Sequence, residues 1–113
     1  MDRLIADQIV STELELIVQS EIKKYLATSF TSTLYDLFDD EQKRYAIVTI
    51  PKGIPHPYPA RVVVMAQIIT DRIVILEDVT DKPLSEALMV NGGVPREQII
   101  LAYRGETPPD PTS

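Results

Sequence analysis

Between Arg44 and Leu76 the apolar residues occupy both parities of the chain instead of alternating with polar ones. In Arg44 to Ile50, Tyr45, Ile47 and Thr49 point one way while Ala46, Val48 and Ile50 point the other, because successive strand side chains lie on opposite faces. Val62 to Ile69 and Ile73 to Leu76 read the same way, joined by Thr70-Asp71, a turn of hairpin length. Leu34 to Phe38 predicts a short strand before them, leading through the charged hairpin loop Asp39-Asp40-Glu41-Gln42-Lys43. Strands of this kind predict a sheet that needs cover on both faces.

The period changes on either side of that block. From Thr12 onward, Leu14, Ile17, Val18, Ile22, Tyr25 and Leu26 recur at three- and four-residue spacing, the stripe of an amphipathic helix. Thr12 and Glu15 have the spacing of a capping box. Leu4, Ile5 and Ile9 could continue that helix upstream or form a separate short turn; the pattern favours one long helix over about 2–27. It ends in the polar, β-branched run Thr28 to Thr33.

Arg72 to Tyr103 predicts strand, helix, tight exit turn and second strand. Asp81, Lys82 and Pro83 look like the entry of a helix over about 82–91, where Glu77, Asp78, Thr80 and Asp81 would satisfy free amides. Leu84, Ala87 and Leu88 form its narrow inner stripe. Asn91-Gly92-Gly93 closes it: with Gly93 in the left-handed conformation, Val94 can pack back on Met89, and Pro95 prevents continuation toward Ile99-Ile100-Leu101.

These elements predict one α+β domain over 1–105, a mostly antiparallel sheet of about four to five strands with a long N-terminal helix and a shorter helix packed on it, followed by a proline-rich flexible tail over 106–113. Two helices on one face would leave the other face apolar and uncovered. Soluble monomers rarely expose such a patch, so a homo-oligomer is expected, most simply a two-fold dimer.

Composition narrows the classes of function. At 113 residues the chain can bury a core without staples, and it has no cysteine for a disulfide or thiolate site. The formal charge of -6, with 17 acids against 11 bases and no basic run, opposes a phosphate backbone, so direct nucleic-acid binding is not expected and a basic protein partner fits better. No apolar stretch of spanning length occurs, so no membrane association and a cytoplasmic location are expected.

Candidate chemistry is sparse. His56 is the only histidine, which leaves no two-histidine metal site. It lies with Tyr58 in Pro51 to Pro59, where four prolines in nine residues predict a stiff excursion at the sheet rim. His56 and Tyr58 are therefore the candidate partner-binding residues, with an exposed loop histidine as the plainer reading. Asp36, Asp39, Asp40 and Glu41 could ligate a cation but lack EF-hand spacing, and fit a solvated turn. Glu41-Gln42-Lys43 matches an acid-x-lysine nuclease element in form but falls in a hairpin loop, away from the strand such chemistry requires. Asn91-Gly92-Gly93 has neither phosphate-loop arrangement. No catalytic, cofactor-binding or metal residue is assigned, and no cofactor is expected.

The segment DRIVILEDVTDKPLSEALMVNGGVPREQIILAY resembles the second half of the XisI family, cyanobacterial controlling factors of fdxN-element excision. Gly93, Val94, Pro95, Arg96, Glu97, Ile99 and Leu101 carry its exit motif, with Asp81 and Pro83 at the helix entry and Gly92 before the exit. The chain departs from relatives in having no tryptophan. The resemblance implies an accessory, non-enzymatic role in DNA excision during heterocyst development, beside a nuclease-like XisH partner and with an antitoxin-like inhibitor as one form of that role. A DNA-binding excision factor and a small-ligand or metal enzyme are the rival classes. The first predicts a salt-sensitive shift of duplex DNA, the second a deep pocket with converging polar groups.

Overall fold

The computed structural model describes residues 8–109. Within them the order is α1 (Ser11–Lys23), β1 (Ser32–Asp39), β2 (Arg44–Pro51), β3 (Arg61–Ile69), β4 (Arg72–Asp78), α2 (Leu84–Val90) and β5 (Ile99–Leu101). The strands form one sheet in the order β1-β2-β3-β4-β5. The first three pairings are antiparallel hairpins and β4–β5 is parallel. A parallel neighbour requires a crossover, and α2 supplies it. The mostly antiparallel α+β sheet expected from the pattern is the one observed.

Turn chemistry fixes the register. Asp39 Oδ1 accepts the amide protons of Glu41 and Gln42 at 3.1 Å each, closing the β1–β2 hairpin as an Asx turn. Lys43 (φ 57°) and Thr70 (φ 54°) take left-handed backbone at the two hairpin turns. Irregularities at Ile47/Val48 and at Met65/Ala66 interrupt the β2–β3 and β3–β4 pairings. Such bulges add twist to the ribbon.

The core lies between one sheet face and both helices. Tyr45, Ile47, Val64, Ala66, Ile68, Ile73, Ile75 and Ile99 meet Leu14, Val18 and Ile22 of α1, Leu84 and Leu88 of α2, and Val94. Nearly all are fully buried. The predicted stripes hold within both helices, although Tyr25 and Leu26 fall beyond the end of α1 and Leu26 stays partly exposed.

The helix start differs from the expectation. α1 begins at Ser11, with Val10 as an extended N-cap, and ends at Lys23, so residues 8–10 and 24–27 of the expected 2–27 helix are not helical, and residues 2–7 lie outside the described residues. The cause is a contact 89 positions away. Ile9 donates its N–H to Gln98 Oε1 at 2.9 Å, and its carbonyl accepts from Gln98 Nε2 at 2.9 Å, which holds this backbone extended. The Thr12–Glu15 capping box does not form, because the cap falls two residues earlier and has no side-chain bond.

The second helix is also shorter than 82–91. Pro83 is its N-cap, and Asp78 reaches forward to bind the Leu84 amide at 2.7 Å. Asp78 Oδ1 also accepts the Thr80 amide at 2.9 Å. Capping thus rests on Asp78 instead of being shared with Asp81, whose side chain is exposed. At the exit Gly93 is left-handed (φ 67°), as expected, and the buried Val94 donates its amide to the Leu88 carbonyl at 3.0 Å.

Candidate functional site

The sheet face opposite the helices carries a group of apolar side chains. Register places Tyr35 beside Val48, Leu37 beside Ala46 and Thr33 beside Ile50 on this side of β1–β2. Val62 pairs with Val48, and Met65 with Ala46, carrying the same side into β3. On β4, Leu76 extends it, while Val74 faces the same side without being exposed. Tyr35 is 46% exposed and Leu37 55%, whereas Ala46 and Val74 are buried. Leu37, Ala46, Val48, Val62 and Met65 line a shallow depression of about 500 Å³, with Asp36, Asp39 and Arg44 at its hairpin end. No helix of the described residues lies over it. Charged and polar residues gather at the hairpin end of the face, where Asp39 pairs with Arg44 and Arg44 with Gln67.

The β5 edge of the sheet is closed to further strands, and the β1 edge carries a charge that opposes them. β5 is only three residues long, and side chains occupy its outward backbone groups. Arg96 Nη1 donates to the Ile99 carbonyl, while Glu106 Oε1 accepts the Leu101 amide at 2.8 Å. Arg96 Nη2 and Glu106 Oε2 pair at 2.7 Å across the same edge. Glu106 is thereby anchored at the start of the expected tail; residues 110–113 of that tail lie outside the described residues. The Leu101 amide and Arg96 hold the Glu106 carboxyl below its ordinary value. On β1, Asp36 stands between Leu34 and Phe38 on the helix side of the sheet and remains exposed. A charge directed inward on an edge strand opposes pairing there.

His56 and Tyr58 lie on the 52–60 excursion between β2 and β3, at the end of the sheet away from the charged hairpin. Both are exposed, and His56 Nδ1 sits 3.0 Å from the Tyr58 carbonyl oxygen. Tyr58, 68% exposed, borders a cavity of about 210 Å³ with Thr31, Ser32, Thr49, Pro51 and Arg61. The loop therefore presents an aromatic ring, a histidine and a nearby arginine on one rim.

The remaining candidates disperse. Lys43 of the acid-x-lysine element turns to Glu15 of α1 at 3.2 Å, tying the hairpin to the helix. Among the described residues, no group of three or more histidine, cysteine, aspartate or glutamate side chains is placed to hold a metal ion. Asp81 and Pro83 border a surface depression of about 380 Å³ beside α2, with Lys82, Glu86 and Val90. Gly92, Gly93, Val94 and Pro95 are accounted for by the α2 exit.

Two buried polar residues were not singled out by the sequence. Gln98, 1% exposed, bonds both backbone groups of Ile9 and the Asp71 carbonyl, the last at 2.8 Å. Leaving such groups unpaired costs about 1–3 kcal/mol. Glu21, 5% exposed, receives Lys24 Nζ at 2.9 Å and Asn91 Nδ2 at 3.1 Å, linking α1 to the end of α2. Glu21 stands at helical spacing from Leu14, Val18 and Tyr25, which was its available signal, whereas Gln98 follows Arg96-Glu97 and had none. Among the described residues, Tyr45 Oη, beneath α1, is buried without a hydrogen-bond partner, and burial raises its pKa.

The fold and its surfaces define a small, acidic α+β protein with a one-sided helical layer and a broad, shallow apolar face. The family model for XisI protein matches residues 7–109. The chain belongs to the XisI family. Among solved structures it is similar to a XisI-like protein from Anabaena variabilis ATCC 29413, with a TM-score of 0.70 at 22% identity over 80% of this chain and 84% of that one. It is also similar to the fdxN element excision controlling factor XisI from the same organism, with a TM-score of 0.66 at 23% identity over 81% of this chain and 90% of that one. No curated protein matches the chain. Among the described residues no helix is long and apolar enough to cross a membrane.

Proposed function

We propose that the protein is a non-enzymatic accessory factor in the controlled excision of a DNA element, acting by binding a nuclease-like XisH-type protein and holding it inactive in the manner of an antitoxin. The observation that carries this reading is the family match across residues 7–109. The relative named as an fdxN element excision controlling factor supplies the process. Charge favours a protein over DNA as the direct partner, since a chain of net charge -6 repels phosphate and attracts a basic surface. Within this reading His56 and Tyr58 contact the partner from the proline-stiffened rim, where ordering the loop costs little entropy.

Co-expression with the XisH homologue from the same locus tests it. The two proteins are expected to co-purify, and Tyr58→Ala is expected to weaken the complex by about tenfold or more, the loss typical of an aromatic anchor. Failure to associate overturns the reading. A salt-sensitive shift of duplex DNA by this chain alone would replace it with direct DNA binding.

A further inference from the structure

We propose that the helix-free face of the sheet is a self-association surface, on which a second copy of this chain packs face to face as a two-fold dimer. The proposal does not depend on the excision reading; it rests on the shape, chemistry and size of the face.

The chemistry selects the occupant. The centre, formed by Tyr35, Leu37, Ala46, Val48, Val62 and Met65, holds no charge, and Ile50 and Leu76 extend it. A basic partner gains nothing from such a centre. Another copy presents the same apolar residues, and a two-fold axis makes the patch self-complementary. Around the centre the charges are of both signs, with Asp39 and Glu77 against Arg44 and Arg72. Like-charge repulsion between two chains of net charge -6 is therefore not focused on this face. An uncharged centre inside a mixed polar rim is the usual anatomy of a protein interface.

The simpler route to a sheet dimer, pairing of edges, is blocked at β5 and disfavoured at β1. Arg96 and Glu106 occupy the backbone groups of β5, and Asp36 places an inward charge on β1. Stacking of faces remains. Four strands spaced about 4.8 Å apart, each about eight residues long at 3.3 Å per residue, give a footprint of roughly 500 Å² per copy. Two copies together reach the roughly 1,000 Å² at which specific interfaces begin. The sheets would stack about 10 Å apart with the helices outermost.

The absence of cysteine makes the test direct. Sedimentation equilibrium of the full chain alone at micromolar concentration is expected to give twice the 12.7 kDa chain mass. Leu37→Glu, at a position 55% exposed in the single chain, is expected to leave the fold's circular dichroism unchanged. It should weaken association about 100-fold or more, because it leaves a charge unpaired at the interface centre. Leu16→Glu, on the outer surface of α1, is expected to leave the dimer intact. A short bis-maleimide should link two copies of Met65→Cys but not of Leu16→Cys. A monomer, a dimer indifferent to Leu37→Glu, or linking through Leu16→Cys alone would each overturn the proposal. Because no second protein is used, failure here leaves the XisH reading standing, and failure of that pull-down leaves this one standing.

Discussion

The two faces of the sheet are built from nearly the same residue types, yet one is closed throughout and the other only in part. On the helix side, Ile47, Val64, Ile73 and Ile75 are fully buried. On the other, Tyr35 and Leu37 stay about half exposed while Val48, Val62 and Met65 are only partly covered. Strand composition records that both faces are apolar and does not say which one the helices take. That choice is made by connections. α2 crosses from β4 to parallel β5, and α1 is fastened to the same side by Glu21 with Asn91 and by Glu15 with Lys43.

The strongest way to break this contrast is to remove equivalent volume from each face. Ile75→Ala empties a fully buried site between β4 and the helices, and is expected to lower unfolding free energy by about 2–5 kcal/mol. Leu37→Ala at low protein concentration should stay within about 0.5 kcal/mol, as a partly exposed position does. Urea midpoints at constant m-value measure both. Similar losses at the two positions would mean that the faces are equally buried within one chain.

A smaller effect tests how closely the helical layer is seated. A Cβ on Gly92 would stand 2.6 Å from Ile17 Cγ2 and 2.7 Å from the Leu88 carbonyl oxygen, so α1 and the α2 exit touch through that position. At Gly93 an added Cβ meets nothing within 4 Å, and only the φ of +67° resists it. Gly92→Ala is therefore expected to cost about 2–3 kcal/mol by overpacking, against about 1 kcal/mol for Gly93→Ala from left-handed backbone. Thermal melts of the two variants compare them. The reverse order would show that the helices yield more easily than the exit turn.

These residues also mark how far the sequence could be read. The strands were legible because two-sided apolar runs bounded by Asp39-Asp40 and Thr70-Asp71 have few other uses, and the Gly93 exit because glycine before Val-Pro has a local cause. Gly92 was legible only as a glycine, since its neighbour Ile17 lies in another helix. The start of α1 was misread for the same kind of reason: Leu4, Ile5 and Ile9 keep helical spacing, but Gln98 fixes Ile9 from across the chain. Thr12–Glu15 satisfies the capping pattern locally, although Val10 takes the cap. Arg96 was recognisable as part of a family motif without a physical role. That role appears only when Glu106, beyond the motif, meets it at the edge of β5. Of the candidate site, the two-sided sheet was legible, whereas the blocked edges that favour face stacking depend on side chains reaching neighbouring backbone.

The smallest expected effect sits at that edge and carries a pH signature. Glu106 has a carboxyl pKa lowered from 4.5, first by the Leu101 amide and then by Arg96. A depressed value in the folded chain means that the carboxylate form favours folding. Its contribution is complete above 4.5 and is lost as pH falls through the lower folded value. Glu106→Gln keeps an oxygen for the Leu101 amide but removes the charge facing Arg96. The variant is expected to melt slightly below the parent at neutral pH, with the gap closing as the solution is acidified below 4.5. Raising salt should narrow the neutral-pH gap, since the pair is partly exposed. A gap independent of both pH and salt would assign the edge clasp to shape instead of charge. The argument for blocked edges would then rest on the shortness of β5 and the inward Asp36.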